Sequence, residues 1–331
     1  MAEQPIPESE PAPAPPPRAP FPWRRLRLPA AVIAVVLITA YVALSFVVVR
    51  QALTAEREPI ESTPASQGLA YQDVSFSPRG DAELTLRGWF MPASPSADAA
   101  LGTVVFVHGI DRNREWDLGL LAGLVERGFS VLAFDLRGHG ASDDALMGAG
   151  LAEQDDVRGA VDYLLAQGLG QSGRIFLYGI SYGGAIALLT GVDEPAVAGV
   201  YADSAFADLS DVLVKEVADR TVLPRWAALT LRPGIVWMAR LTKGVDITKV
   251  RPVAVVGAYP YRLGLTHCLE DTRISVEQAI ALWGAAPRGG SFTLYPNCDH
   301  AGAYEVWDGR YLDTVTAYFD ERLISEGLLA P

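Results

Sequence analysis

The segment that most restricts how this chain can fold is GISYG, residues 179–183. An apolar run of strand character, residues 174–178, leads into it, and a run of small and apolar residues typical of a helix follows at once. A strand that turns directly into a helix leaves no room for a β-carbon at Gly179 or Gly183. The pattern predicts that Ser181 is a nucleophile, placed where a helix N-terminus favours a developing anion. The alternative is an incidental serine in a glycine-rich turn.

Short apolar runs alternate with helical stretches beyond the N-terminal region, which predicts βαβ units. We therefore expect an α/β fold with a mostly parallel central sheet flanked by helices and functional loops at the carboxyl ends of the strands. Residues 207–261 interrupt the alternation, look helical and carry Trp226 and Trp237. We interpret them as a helical lid insertion, with an ordinary helical connection as the alternative. A last helix is predicted from about Gly309 to Gly327. The predicted strands lie in ELTLRGWFMP, GTVVFVHG, FSVLAFDLRGHG, RIFLYG, VAGVYADSAF, RLGLTHCLED and GSFTLYPNCDH.

A serine hydroxyl needs an adjacent base to act as a nucleophile. With a serine on such a turn, the order along the chain is serine, acid and histidine. His300 follows the last predicted strand and leaves acidic candidates between itself and Ser181, so we predict that it is the base. His267 leaves fewer acidic candidates and ends an apolar strand. The four histidines of the chain are His108, His139, His267 and His300.

The acid is expected in the loop after the preceding strand, where Glu270 and Asp271 stand side by side. Its role would be to hold the imidazole in the correct tautomer and to stabilise the imidazolium. The pattern by itself prefers Asp271 only slightly. Asp246 lies in the lid segment, and Asp299 is too close to His300 in sequence to reach back to the ring.

An oxyanion hole needs two converging backbone N–H donors. We assign one to Tyr182, directly after the nucleophile, and the other to Ile110, in the loop after an earlier strand. The two cysteines show neither a CxxC spacing nor a Cys/His cluster, so we expect no structural zinc. Hydrolysis by a serine, an acid and a histidine is expected to need no metal and no cofactor. The net charge of −12 argues against a nucleic-acid partner.

The N-terminal region has the composition of a tail, a membrane span and a linker. Residues 1–27 are rich in Pro and Ala, which predicts a disordered tail. An uncharged run of 22 residues, Leu28 to Val49, is long enough to cross a hydrocarbon core of roughly 30 Å. Residues 50–70 form a predicted linker to a catalytic domain at 71–331.

Two other structures could account for the apolar run. A core helix of this length without a polar face is uncommon, and a signal peptide has a shorter apolar region. The candidate cleavage site after Ala55 has Leu53 where a small residue is needed. Arg24, Arg25 and Arg27 precede the run, so the positive-inside rule predicts a single-pass membrane protein with a cytoplasmic N-terminus and a catalytic domain outside the cytoplasm.

The motif series resembles the α/β-hydrolase superfamily, most closely its membrane-anchored serine aminopeptidase-like and esterase-like members. The resemblance covers residues 71–331 and implies that Ser181 is the nucleophile, His300 the base and Asp271, rather than Glu270, the acid. Cys268 departs from the glycine usual at its position in the acid loop. The motifs are VVFVHG, FDLRGHGASD, GISYGG, LTHCLEDTRI and NCDHAGAYE, and the second contains the structural turn residues Asp135, Arg137, Gly138 and Gly140.

The resemblance implies a cofactor-free serine hydrolase that cleaves a carboxylic ester, with a lipid-like substrate suggested by the membrane run and the lid. A peptidase for short peptides and a non-catalytic binding protein are the alternatives. In this fold the strands before the acid loop and before the histidine loop are expected to be neighbours. Cys268 and Cys298 could then form a disulfide in an oxidising compartment, or remain as two buried thiols.

Overall fold

The computed structural model describes residues 23–54, 56–93, 100–221, 224–287 and 289–330. The chain divides into two compact units at residues 43 and 44, within its first helix, α1 (Trp23–Ala52). The tail predicted at residues 1–27 lies outside the described residues up to residue 22, and residues 23–27 belong to α1. One segment of this helix, Arg27–Ala52, is long and apolar enough to cross a membrane, with a mean hydropathy of 2.9.

Within the described part of the second unit, eight strands form one sheet in the order β1-β2-β4-β3-β5-β6-β7-β8. The pairs β1–β2 and β2–β4 are antiparallel, and every other neighbouring pair is parallel. The predicted mostly parallel sheet is therefore confirmed. The strands are β1 (Gln72–Phe76), β2 (Leu86–Met91), β3 (Gly102–Val107), β4 (Phe129–Phe134), β5 (Ile175–Ile180), β6 (Val197–Asp203), β7 (Gly264–Cys268) and β8 (Ser291–Tyr295).

Helices cover both faces of the sheet, so the central strands are buried along their whole length and consist of continuous apolar runs. The helices are α2 (Leu118–Glu126), α3 (Glu153–Ala166), α4 (Tyr182–Gly191), α5 (Leu209–Arg220), α6 (Arg225–Leu229), α7 (Arg232–Lys243), α8 (Val276–Ala285) and α9 (Ala303–Ser325).

An aromatic cluster holds α9 against the sheet. The ring of Phe176 on β5 lies 4.5 Å from that of Phe319 on α9, and Phe129 on β4 lies 5.3 Å from Phe319, measured between ring centroids. All three side chains are fully buried. Aromatic pairs at these separations add about 0.5–1.5 kcal/mol beyond the burial of their apolar area.

The segment 207–261 is helical and lies in sequence between β6 and β7, as predicted. It contains α5, α6 and α7, followed by three short 3₁₀ helices. We call it the insertion.

Three details differ from the prediction. The strand β1, which pairs with β2 as a hairpin, was not recognised because its alternating pattern is short, with only Val74 and Phe76 buried. The last helix begins at Ala303 rather than near Gly309, with a break in helical geometry at Asp308.

The strand predicted in GSFTLYPNCDH ends already at Tyr295, so Cys298 lies three residues beyond β8.

Candidate active site

The turn from β5 into α4 holds Ser181 in an unusual backbone conformation, with φ of 57° and ψ of −116°. The Ser181 N–H donates to the carbonyl oxygen of Asp203 on the neighbouring strand, at 2.8 Å. A β-carbon on Gly179 would collide with the backbone of Gly183, and one on Gly183 would collide with the carbonyl oxygen of Val107. Only glycine fits at either position, which explains the spacing seen in the sequence.

The three side chains named from the sequence lie in one chain of hydrogen bonds. His300 Nε2 lies 2.7 Å from Ser181 Oγ, and His300 Nδ1 lies 2.8 Å from Asp271 Oδ2. Because an ionised carboxylate can only accept, Nδ1 carries the hydrogen and Nε2 is left to accept from the serine hydroxyl. The other oxygen of Asp271 accepts from the backbone N–H groups of Arg273 and Ile274, at 2.9 and 2.7 Å. The carboxylate is thus fixed at both oxygens.

The competing acids lie elsewhere. Glu270 is exposed. Asp246 accepts from Thr248 and pairs with Arg240 in the insertion. Asp299 points towards the acid loop, where it accepts from the Thr272 backbone N–H at 2.8 Å. This hydrogen bond lowers the pKa of Asp299. Of the four carboxylates considered, Asp271 is the one in contact with the His300 ring.

His267 is completely buried next to Asp271. Its Nε2 lies 2.8 Å from the carbonyl oxygen of Ile274 and 3.2 Å from Asp271 Oδ2. Because a carbonyl oxygen only accepts, Nε2 carries the hydrogen, which also faces the carboxylate. His267 therefore helps to hold Asp271 in place and has no contact with Ser181 Oγ among those that the structure records for the described residues.

The two remaining histidines organise backbone. His108 accepts from the N–H of Leu136 and donates to the carbonyl oxygen of Gly109. Burial lowers the pKa of His108 to about 3, and burial also lowers the pKa of His139, whose ring packs edge-on at 5.1 Å. Both rings are uncharged at neutral pH, and they fix the turn after β4 against the loop after β3.

The turn after β4 has the structural role that the resemblance implied. Asp135 accepts from the backbone N–H groups of Arg114 and Ala141, each at 2.8 Å, so it joins the turn to the loop after β3. Arg137 forms a bidentate pair with the buried Asp156 on α3, the shortest distance being 2.6 Å. These contacts fix the loop that carries Gly109 and Ile110.

The predicted oxyanion donors lie next to the serine. A β-carbon on Gly109 would stand 3.6 Å from Ser181 Cβ, so the loop after β3 passes directly beside the nucleophile candidate. Ile110 and Tyr182 line the same cavity as Ser181.

Sequence reasoning missed a buried polar network behind the site. Asp203 Oδ2 accepts from Tyr311 at 2.6 Å, and Asp203 Oδ1 accepts from Ser204 at 3.0 Å. Ser204 Oγ in turn accepts from the N–H of Ala301, the residue after His300, at 3.1 Å. Burial raises the pKa of Asp203, and the bonds from Tyr311 and Ser204 counteract that rise. The available signal was an Asp-Ser pair at the end of a buried strand.

A cavity of about 850 Å³ opens above Ser181. One wall is the apolar face of α5, with Leu209, Val212, Leu213 and Val217, and another is formed by residues near the end of α1. This volume lies within the roughly 300–1,000 Å³ of small-molecule sites.

Cys268 and Cys298 form a disulfide, with their Cα atoms 5.4 Å apart. Cys268 ends β7, three residues before Asp271, and Cys298 precedes His300 by two residues. Since β7 and β8 are parallel neighbours, the bond ties the loop that carries the acid to the loop that carries the histidine.

Comparison with known proteins gives the following matches. The profile described as "Alpha/beta hydrolase family" matches residues 104–314. The uncharacterized protein YfhR of Escherichia coli O157:H7 is 35% identical over 130 residues, which are 38% of this chain and only 45% of YfhR. The uncharacterized protein YqkD of Bacillus subtilis is 27% identical over 220 residues, 66% of this chain and 71% of YqkD.

Two solved structures have a similar fold. The Pyrococcus furiosus esterase Pf2001 has a TM-score of 0.65 at 19% identity, covering 82% of this chain and 97% of the esterase. The Pyrococcus horikoshii acylaminoacyl peptidase has a TM-score of 0.56 at 15% identity, covering 78% of this chain and 42% of the peptidase.

Removal of the disulfide should destabilise the second unit. The bond spans a sequence separation of 30 residues, for which the chain-entropy model gives about 3–4 kcal/mol. We expect the double variant C268A/C298A to show a lower free energy of unfolding by that amount in detergent solution, and denatured, unreduced wild-type protein to contain no free thiol. A reducing agent should destabilise wild type and leave the double variant unchanged. Two free thiols in wild type, or equal sensitivity of both proteins to reductant, would contradict the bond.

Proposed function

Because the chain belongs to the alpha/beta hydrolase family, we propose that it is a serine hydrolase that cleaves carboxylic esters through an acyl-enzyme. The observation that carries this proposal is the uninterrupted chain of hydrogen bonds from Ser181 through His300 to Asp271, with donor–acceptor distances of 2.7 and 2.8 Å. That is the geometry required of a nucleophile, its base and the group that orients the base.

The reaction follows from the positions of these groups. His300 Nε2 takes the proton of Ser181 as Oγ attacks the ester carbonyl carbon, and Asp271 stabilises the imidazolium that forms. The negative charge on the carbonyl oxygen is held by the backbone N–H groups of Ile110 and Tyr182. Collapse of the tetrahedral intermediate breaks the ester C–O bond, and His300 protonates the leaving alkoxide. Water, deprotonated by His300, then releases the acid and restores the serine.

An ester is the favoured substrate because many of the side chains that line the cavity beside Ser181 are apolar, from α5 and from the end of α1. Pf2001 is an esterase with a similar fold. A peptidase for short peptides is the second candidate, since the acylaminoacyl peptidase of Pyrococcus horikoshii also has this fold. A non-catalytic binding protein is the third, and it is disfavoured because all three triad positions are occupied.

We further propose that Arg27–Ala52 anchors the protein in a membrane. The helix is uncharged from Leu28 to Val49, and the arginines of the sequence before Leu28 favour a cytoplasmic N-terminus. The catalytic unit would then lie outside the cytoplasm, where the disulfide between Cys268 and Cys298 persists.

Replacement of the nucleophile tests the reaction type. Ser181→Ala should lower kcat/KM for a short p-nitrophenyl ester by at least about 10⁴-fold, because no group remains to form the acyl-enzyme. Ser66→Ala, in an exposed turn, is the control and should retain wild-type rates. Parallel assays with aminoacyl nitroanilides separate the candidates: faster cleavage of anilide than of ester would favour the peptidase. Near wild-type ester turnover by Ser181→Ala would remove this serine from the mechanism.

Substitutions of the two adjacent carboxylates, Glu270 and Asp271, test which of them is the acid of the triad. Asp271→Asn should lower kcat by about 10³–10⁴-fold, since an amide favours the wrong imidazole tautomer and does not stabilise the imidazolium. Glu270→Gln changes the neighbouring, exposed carboxylate and should stay within about twofold of wild type. The measurement is steady-state ester hydrolysis by both variants. The opposite order of the two effects would move the acid to Glu270.

Reporter fusions test the orientation in the membrane. A reporter enzyme that matures only outside the cytoplasm, fused after residue 331, should be active, because the arginines hold the N-terminus inside. A reporter that works only in the cytoplasm, fused at the same position, should be inactive. The reverse pair of results would overturn the proposed topology.

A further inference from the structure

The last turns of α1 form part of the cavity that contains Ser181. Leu44, Val47 and Val48 line this cavity, together with apolar residues of α5. Ser45 and Val49, on the same turns, are only 1% exposed. The end of α1 therefore forms part of the candidate active site.

The same residues are needed for the helix to cross a membrane. The 16 residues from Leu28 to Ala43 rise only about 24 Å, short of a hydrocarbon core of roughly 30 Å. The full uncharged run to Val49 rises about 33 Å. If α1 spans a bilayer, Val47 and Val48 therefore lie at its hydrocarbon boundary, and so does the mouth of the cavity that they line.

The insertion carries surface features that suit the same boundary. Lys243, at the end of α7, donates to Thr54 Oγ1 at 3.0 Å, which joins the insertion to the residues directly after α1. Trp226 and Trp237 are 72% and 55% exposed, and Leu241 is 64% exposed. Exposed tryptophans of this kind are enriched at the interface of a membrane with water.

The charge of the insertion differs from that of the whole chain. Residues 207–261 contain eight Lys or Arg and five Asp or Glu, a net charge of +3, although the chain as a whole carries a net charge of −12. Arg232, Arg240 and Arg251 are paired with carboxylates of the insertion itself. Basic side chains beside a membrane are attracted to anionic lipid headgroups. The tryptophans and the basic residues thus favour the same position for the insertion, on a bilayer surface.

Because the mouth of the cavity lies at the membrane boundary, beside the end of α1, we infer that the substrate is an acyl ester of a membrane lipid. The lipid enters the cavity directly from the bilayer. The inference rests on the proposed function and names its substrate class. The acyl chain lies between Val47, Val48 and the face of α5, and the ester carbonyl reaches Ser181 Oγ. The serine forms the new ester bond, the lipid C–O bond breaks, and the leaving alkoxide of the headgroup fragment takes the proton from His300.

The experiment compares two esters of one chromophore, hydrolysed by the full-length protein in phosphatidylcholine vesicles that contain phosphatidylglycerol. Methylumbelliferyl acetate reports on the chemistry in water, and methylumbelliferyl oleate embedded in the vesicles reports on uptake of a long chain. Val47→Trp places a bulky side chain in the cavity wall at a residue that is already 45% exposed, so the fold should tolerate it.

We expect Val47→Trp to lower the ratio of oleate to acetate rates by about tenfold or more, as expected for blocked space in an apolar site. The matched control is Phe46→Trp, on the same turn, 43% exposed and not among the cavity-lining residues. It should leave the ratio unchanged, and both variants should keep the wild-type Tm.

Two results would overturn the inference while leaving the proposed function intact. One is an equal ratio in Val47→Trp and wild type, and the other is a wild-type enzyme that hydrolyses acetate but not oleate in vesicles. Failure of wild type to hydrolyse either ester would instead contradict the proposed function itself. Cleavage of glycerol monooleate in the same vesicles, reduced in Val47→Trp but not in Phe46→Trp, would extend the result to a natural lipid.

Discussion

The backbone at Ser181, with φ of 57° and ψ of −116°, is in a region that a residue with a side chain occupies only when its surroundings hold it there. Here the surroundings are a strand on each side and a helix that starts at the next residue. The N–H of Ser181 is bound by the carbonyl oxygen of Asp203, and Gly183 sits against the backbone at the end of β3. The serine oxygen therefore stands at the carboxyl edge of the sheet, and the other groups of the site have to come from the ends of the strands beside it.

Five adjacent parallel strands supply those groups, and their loops are tied to one another. The disulfide between Cys268 and Cys298 joins the loops after β7 and β8. Asp299 accepts from Thr272 across the same two loops, and Ser204 connects the loop after β6 to the residue beyond His300. A histidine on a loop would otherwise be mobile, so these ties keep the base aligned between its carboxylate and the serine hydroxyl.

The sequence predicted most of the fold, because buried parallel strands are continuous apolar runs and amphipathic helices alternate with them. Glycine spacing and chain order also pointed to Ser181 and His300, and the family resemblance to Asp271 rather than Glu270; the structure brings these three side chains within hydrogen-bond distance. The role of Asp203 could not be predicted: it depends on how Tyr311, more than 100 residues away, packs beneath it. The wall formed by Val47 and Val48 was equally hidden, because a run of apolar residues has the same composition whether it faces lipid or a cavity.

The central claim is that Ser181 Oγ forms the covalent intermediate. The most direct measurement is the position of a fluorophosphonate adduct on the full-length protein, located by proteolysis and mass spectrometry. Our account predicts one adduct, on the oxygen of Ser181, and none on the neighbouring buried Ser204. An adduct on a different residue, or active protein that hydrolyses esters and remains unmodified, would contradict it.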